Sequence, residues 1–270
     1  MSRTITLTES KEISVAQGIA ALQELGFEFH QLEYDDGSIL IFKYGYSIRG
    51  VEISKVKNGF EFRITVMAST ADYRLFATTA NFFQHMFGGE LFDAENKPVV
   101  IADDFSEIQI EKYISEDAEL LFELISEKKE VSLFGPIREF SIGRNIWEKL
   151  SKYESLPFDR RTEELIKLII ASQYPPDNYA QFANMMSVTD NDGNSHYLQV
   201  LSNSKEMVVE KVAEYAICKS DTEYFYIEPE HLSKELTDRW IRLDENTFLA
   251  SILPEKKWGE LYEQMLVYSK

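Results

Sequence analysis

The stretch Gly50-Val51-Glu52-Ile53-Ser54-Lys55-Val56-Lys57-Asn58-Gly59-Phe60-Glu61-Phe62-Arg63-Ile64-Thr65-Val66-Met67 decides the fold class. Apolar and polar residues alternate over 50–56 and again over 59–67, the period of strands with one buried face. Lys57-Asn58-Gly59 between them supplies the Asn-Gly pair of a tight hairpin. Strands joined so closely run antiparallel. Residues 38–44 read as a further strand upstream, set off by Gly45.

Helices are expected on both sides of this hairpin. Upstream, Ser14 and Gln17 make a capping box, Val15, Ile19 and Leu22 form an apolar stripe, and Gly26 ends the helix. Downstream, Ser69 or Thr70 opens a helix over 71–87 that Gly88-Gly89 closes. Its Tyr73, Phe76, Ala80, Phe83 and Phe87 recur at spacings of three and four, and Leu75, Phe82 and Met86 widen the apolar arc.

Further along, a short strand is expected at 99–102, an apolar-polar run at 107–114 and a helix after Ser115, its last turn closed by Lys128-Lys129. Strand-like segments at 131–134 and 137–142 precede a helix near 144–152 and another at 160–172, the latter halted by Pro175-Pro176. Strands at 185–189 and 196–201 flank a polar turn, a helix is expected from Ser204 with Val208, Val212 and Tyr215 inward, and strands at 222–227 and 247–253 precede a helix opened by Pro254. Both halves mix hairpins with helices. The expected class is therefore α+β, in two sub-domains, 1–130 and 131–270.

Charge is unevenly spread. The chain of 270 residues carries a formal net charge of −18, and residues 90–130 hold thirteen acids against four lysines, a net of −9. Such a local field repels nucleic acid and anionic membrane and attracts basic partners. Helix chemistry accounts for some of it, since Glu116, Asp117 and Glu119 stand in the expected first turn after Ser115.

With 44% apolar and 13% aromatic residues the chain has ample material for packed cores. The first residues lack the apolar run of an export signal, and no apolar run approaches the roughly 20 residues of a membrane span. A cytoplasmic protein is expected. Cys218 is the only cysteine, which excludes an internal disulfide and a multi-cysteine metal site.

Chemical signatures are sparse. Asp190-Asn191-Asp192-Gly193-Asn194 suggests a calcium loop, but glycine comes at position 4 rather than 6 and position 12 is Leu201, so a hairpin turn is the better reading. His30, His85, His196 and His231 make no zinc-binding spacing. His85 shares a polar helical seam with Thr78 and Asn81, which reads as solvent-facing. Asp72 is explained by the helix dipole, and Cys218 by a small buried hydrophobe. No nucleophile elbow and no glycine-rich nucleotide loop occurs, and no cofactor is expected.

Two stretches, Ser47-Ile48-Arg49-Gly50-Val51-Glu52 and Ser69-Thr70-Ala71-Asp72-Tyr73 leading into the aromatic helix, resemble the bacterial family catalogued as domain of unknown function 4299. The resemblance covers mainly the first half. It implies a bacterial cytoplasmic origin and carries no activity with it.

The composite expectation is a non-catalytic protein, of the kind that an immunity-type antagonist represents, which docks a basic partner. Asp103, Asp104, Glu107, Glu111, Glu116, Asp117 and Glu119 are the expected contact residues. The alternatives are an enzyme with a carboxylate-based, divalent-metal-dependent site between the two halves, and acidity that serves solubility alone in a protein whose function is unrelated to it.

Overall fold

The computed structural model describes residues 2–8, 14–127, 130–152, 157–174, 181–189, 195–212, 214–220 and 222–269. The chain is α+β and divides into two compact units, Met1–Tyr174 and Pro175–Lys270.

The first unit runs β1 (Ser2–Thr8), α1 (Val15–Glu24), β2 (His30–Glu33), β3 (Ile39–Phe42), β4 (Val51–Val56), β5 (Gly59–Thr65), α2 (Thr70–Phe87), β6 (Glu90–Asp93), α3 (Ile101–Asp104), α4 (Glu107–Glu127), β7 (Val131–Phe134), β8 (Glu139–Ile142), α5 (Arg144–Ser151) and α6 (Phe158–Gln173). The expected hairpin forms, with Val56 opposite Gly59. It lies inside a six-stranded antiparallel sheet of order β2-β3-β4-β5-β1-β6. Gly59 also faces β1, where a Cβ would stand 1.7 Å from the Leu7 carbonyl oxygen, so only glycine permits this pairing.

One face of the sheet, including Ile5, Leu7, Ile41, Ile53, Phe60 and Phe62, is buried against α1 and α2. Phe83 of α2 meets Phe60 and Phe62 edge-on at centroid distances of 5.0 and 5.2 Å. Both helices start as their sequences dictate. Ser14 and Gln17 form one capping box, and Ser69 and Asp72 form another.

The sequence expectation fails in the acidic segment. Residues 101–104 are a short helix rather than a strand, and 107–114 joins the following helix to make the single 21-residue α4. Ile108 misled the reading, because it alternates with Ile110 yet is 81% exposed. The packed set is Ile110, Ile114, Ala118, Leu121 and Ile125, at helical spacing. Lys128-Lys129 lie outside the described residues.

A second core in this unit joins Ala118, Leu121 and Ile125 of α4 to Leu133, Phe140 and Ile142 of β7–β8, to Ile146 and Leu150 of α5, and to Leu165 and Ile169 of α6. Ile48 and Met67 from the sheet region belong to it. That is why the division falls at Tyr174 and not near residue 130. Apolar packing continues across 130, and a boundary needs a stretch that few contacts cross.

The 47–50 loop ties the unit together. Asp72, fully buried, accepts hydrogen bonds from the backbone N–H groups of Ile48 (2.8 Å), Arg49 (3.1 Å), Gly50 (2.9 Å) and Ser69 (2.8 Å). Tyr174 Oη donates to the Ser47 carbonyl at 2.8 Å, and Gln173 Nε2 donates to the Ile48 carbonyl at 3.0 Å. The Arg49 guanidinium donates to the Phe134 carbonyl at 2.6 Å and to Thr65 Oγ1 at 2.5 Å. The loop reaches its Asp72 contact through Gly50 at φ +72°, where a side chain would be strained.

The second unit runs β9 (Gln181–Phe182), β10 (Met185–Thr189), β11 (Ser195–Leu201), β12 (Met207–Glu210), β13 (Glu214–Ser220), β14 (Glu223–Ile227), a 3₁₀ turn (Pro229–His231), α7 (Lys234–Thr237), β15 (Ile241–Arg242), β16 (Thr247–Ala250) and α8 (Glu255–Leu266). Two four-stranded sheets, β10-β11-β13-β14 and β15-β16-β12-β9, each contain one parallel pair. Their core includes Val209, Ile217, Phe225 and Ile227, closed by Trp258, Leu261, Tyr262 and Met265 of α8.

The helix expected from Ser204 is instead β12 and β13. Met207, Val208 and Val209 are buried in succession, as in a strand flanked by neighbours with both faces covered. The spacing of Val208, Val212 and Tyr215 matched a helix by coincidence. The polar 190–194 turn lies outside the described residues, while its flanking strands pair antiparallel with Thr189 opposite Ser195.

Asp72→Asn keeps the side-chain shape but removes the charge and turns one acceptor into a donor facing N–H groups. It should lower the unfolding free energy by about 2–4 kcal/mol. Exposed Asp35→Asn should change it by less than about 0.5 kcal/mol, both read by urea denaturation.

Candidate functional site

Helix α4 contains five of the seven acids expected to meet a partner, and its packing sorts them. The inward face is apolar apart from Asp117, which is 3% exposed and accepts from Arg3 (2.8 Å), the Met67 N–H (3.0 Å) and Tyr73 Oη (3.1 Å). Asp117 is therefore an anchor and not a contact residue. Arg3 also donates to Tyr73 Oη at 2.7 Å and lies 4.3 Å over the Tyr113 ring. Burial, then the adjacent Asp117 carboxylate, push the Tyr73 phenol far above its ordinary value. It stays a neutral donor at physiological pH. Met67 meets Asp117 from a left-handed φ of 62°, an unusual conformation for a non-glycine residue that this hydrogen bond helps to hold.

Two further acids are engaged at the surface. Glu107 makes a two-pronged bridge to Arg74 at 2.9 and 2.7 Å, which holds its carboxyl below the usual range. Glu116 lies 3.7 Å from Arg3 and 3.8 Å from Lys112. Off the helix, Asp104 accepts from the Val100 N–H at 2.7 Å, whereas the Asp103 side chain is exposed on α3.

The outer acids of α4 make a stripe. Glu116, Glu119, Glu123 and Glu127 are exposed at spacings of three and four, so they share one face of α4. Among the described residues, no cation pairs with Glu111, Glu119, Glu123 or Glu127. Glu119–Glu123 and Glu123–Glu127 are like-charge pairs four residues apart, each unfavourable by about 0.2–0.5 kcal/mol. Glu123 and Glu127 also stand toward the helix carboxyl end, where the dipole disfavours acids. The concentration of charge was legible from sequence. Asp117's inward position was not, because it depends on Arg3, Met67 and Tyr73, 44 or more residues away.

The second unit carries a groove of about 900 Å³, lined by Phe182, Met185, Met186, Tyr224, Ile252 and Trp258 among others. Cys218 borders it, half-buried instead of fully buried, its Sγ 4.0 Å from the Ala216 carbonyl, and no histidine is among the described residues that line the groove. Neighbouring Lys219 bridges Glu223 at 3.1 Å and Glu263 at 3.3 Å. Elsewhere in the unit, Glu228, Glu230 and His231 bring three ligand atoms within 4.8 Å of one another, the only such group among the described residues. The His231 ring is stacked on Tyr268 at 4.6 Å. His85 is exposed on α2, facing solvent as its seam suggested.

No helix among the described residues is long and apolar enough to cross a membrane. No family model, curated protein or solved structure matches the chain. The stretches 47–52 and 69–73 meet through Asp72, which joins 48–50 to the start of α2.

Arg3→Met keeps an apolar stem but leaves Asp117 without its countercharge. It should cost about 1–3 kcal/mol, below the range for a fully buried pair because the Arg3 side chain is 24% exposed. Glu119→Gln should change stability by less than about 0.5 kcal/mol in the same denaturation assay.

Proposed function

We propose that this is a non-catalytic binding protein that docks a basic protein partner on the outer face of α4. One observation carries the reading: Glu119, Glu123 and Glu127 form a stripe of like charges on one face of α4, ending in its last turn, where the dipole disfavours acids. The packed face of α4 does not require these three acids, and a cationic partner would relieve their repulsion on binding.

The geometry suits that task. Ile110, Ile114, Ala118, Leu121 and Ile125 fix the inner face, and Asp117 pins the middle of the helix to β1, to α2 and to the Met67 backbone. A rigid acidic face keeps the ordering cost of association low and speeds encounter with a basic protein. An immunity-type antagonist of a basic toxin or nuclease is the kind of role that fits, with α4 as its charged contact.

The triple variant Glu119→Gln/Glu123→Gln/Glu127→Gln should be as stable as the parent or slightly more so. Tagged parent and variant proteins would be used to capture partners from lysate of the source cells at low and at high salt. A basic protein retained by the parent at low salt, released at high salt and lost from the variant supports the proposal. Identical captures by parent and variant overturn it.

A further inference from the structure

The six-stranded sheet has one closed edge and one open edge. At β6, Val99 N–H donates to the Leu91 carbonyl at 2.8 Å and Phe92 bridges Pro98, so returning chain covers the strand. At the other end β2 pairs, among the described residues, with β3 alone, and all four of its residues are exposed. Tyr34 N–H bonds to the Ser38 carbonyl at 2.9 Å. Counting back by alternation, the backbone groups of Leu32 and His30 face β3, and those of Gln31 and Glu33 face outward. Proteins commonly blunt such an edge; β2 is short and carries Glu33, but it holds no lysine or proline, and among the described residues no segment pairs with its outer side.

The surroundings of the edge are aromatic. A groove of about 770 Å³ beside it is lined by Phe27, Phe29, His30, Tyr44 and Tyr46, with Tyr44 51% and Tyr46 67% exposed. His30 stacks on Phe42 and lies 5.5 Å from the Tyr44 ring, so the groove continues the sheet face that carries His30 and Leu32. Exposed apolar surface of this kind, rimmed by polar residues, marks an interaction site. Acids are grouped at the end of the strand: Glu33 on β2 and Asp35 and Asp36 just after it are all exposed, while Glu28 and Lys43 both line the groove.

We propose that the open edge of β2 takes an extended, basic segment of another protein as an added strand. Backbone pairing to Gln31 and Glu33 supplies the ladder, and the period of two divides the segment's side chains between two faces. Apolar residues then fall beside His30, Leu32 and the tyrosines, and basic residues fall beside Glu33. Charge selects this occupant over a second copy of the chain, because an edge-to-edge pair would bring Glu28, Glu33, Asp35 and Asp36 toward their own counterparts. This surface is separate from the α4 stripe, and either reading can fail alone.

The test is titration of the full chain with an eight-residue peptide alternating lysine and valine, followed by backbone amide NMR shifts at low salt. Expected are shifts at 30–34 and 44–46, and an affinity reduced at least about tenfold by Gln31→Pro, which removes an outward N–H but no bond to β3. N-methylation of alternate peptide amides should reduce it comparably, which tests the ladder without altering the protein. The triple glutamine variant of α4 should bind the peptide as the parent does.

Three outcomes overturn the proposal. One is binding indifferent to both Gln31→Pro and N-methylation. Another is equal binding of a glutamate-valine peptide. The third is a dimer of the free chain that Gln31→Pro dissociates, which would give the edge to a second copy.

Discussion

The first unit depends on one buried carboxylate. Asp72 gathers four backbone N–H groups from two loops and sits with no exposed surface at the start of α2. Its hydrogen bonds are charge-assisted, the stronger class, and each satisfies a backbone donor that would otherwise be buried without a partner. Fixing 48–50 in this way also fixes what the loop touches. The Ser47 and Ile48 carbonyls receive the end of α6, and the Arg49 side chain reaches the β7–β8 turn. The sheet core and the helical core are thereby held in one unit.

Asp117 has the complementary role between the sheet and α4. It draws Arg3 of β1, Tyr73 of α2 and the Met67 backbone onto the helix, which is then fixed in rotation as well as position. Rotation decides which acids face out. The same helix that buries one carboxylate presents Glu116, Glu119, Glu123 and Glu127 on its outer surface. An acidic segment thus serves two ends: one charge fixes geometry inside, and the others shape the field outside.

Much of the local structure was legible because its causes are local. The Ser14–Gln17 box, the 50–67 hairpin, the aromatic periodicity of α2 and the Trp258, Leu261 and Met265 stripe of α8 all rest on neighbours within a few residues. Errors arose where a short pattern satisfied two templates. Ile108 and Ile110 alternate like a strand within a helix, and Val208, Val212 and Tyr215 keep helical spacing across two strands. Burial on both faces of β12 and continuous packing along α4 resolved these ambiguities, and both belong to the tertiary structure.

The sequence by itself determined the α+β class, the capped helices, the hairpin and the concentration of negative charge, since each follows from composition or from spacing along a few turns. Tertiary structure alone decided that Asp72 and Asp117 are internal, that packing continues across residue 130, and that β2 is left as an open edge. Over residues 1–89 ten acids face eight bases, so the acids near β2 do not stand out in the sequence. Only folding set Glu28 in a groove with exposed Tyr44 and Tyr46 beside β2. Hydrogen-bond partners and sheet neighbours lie tens of residues away in the chain, and only the packed fold determines which of them meet.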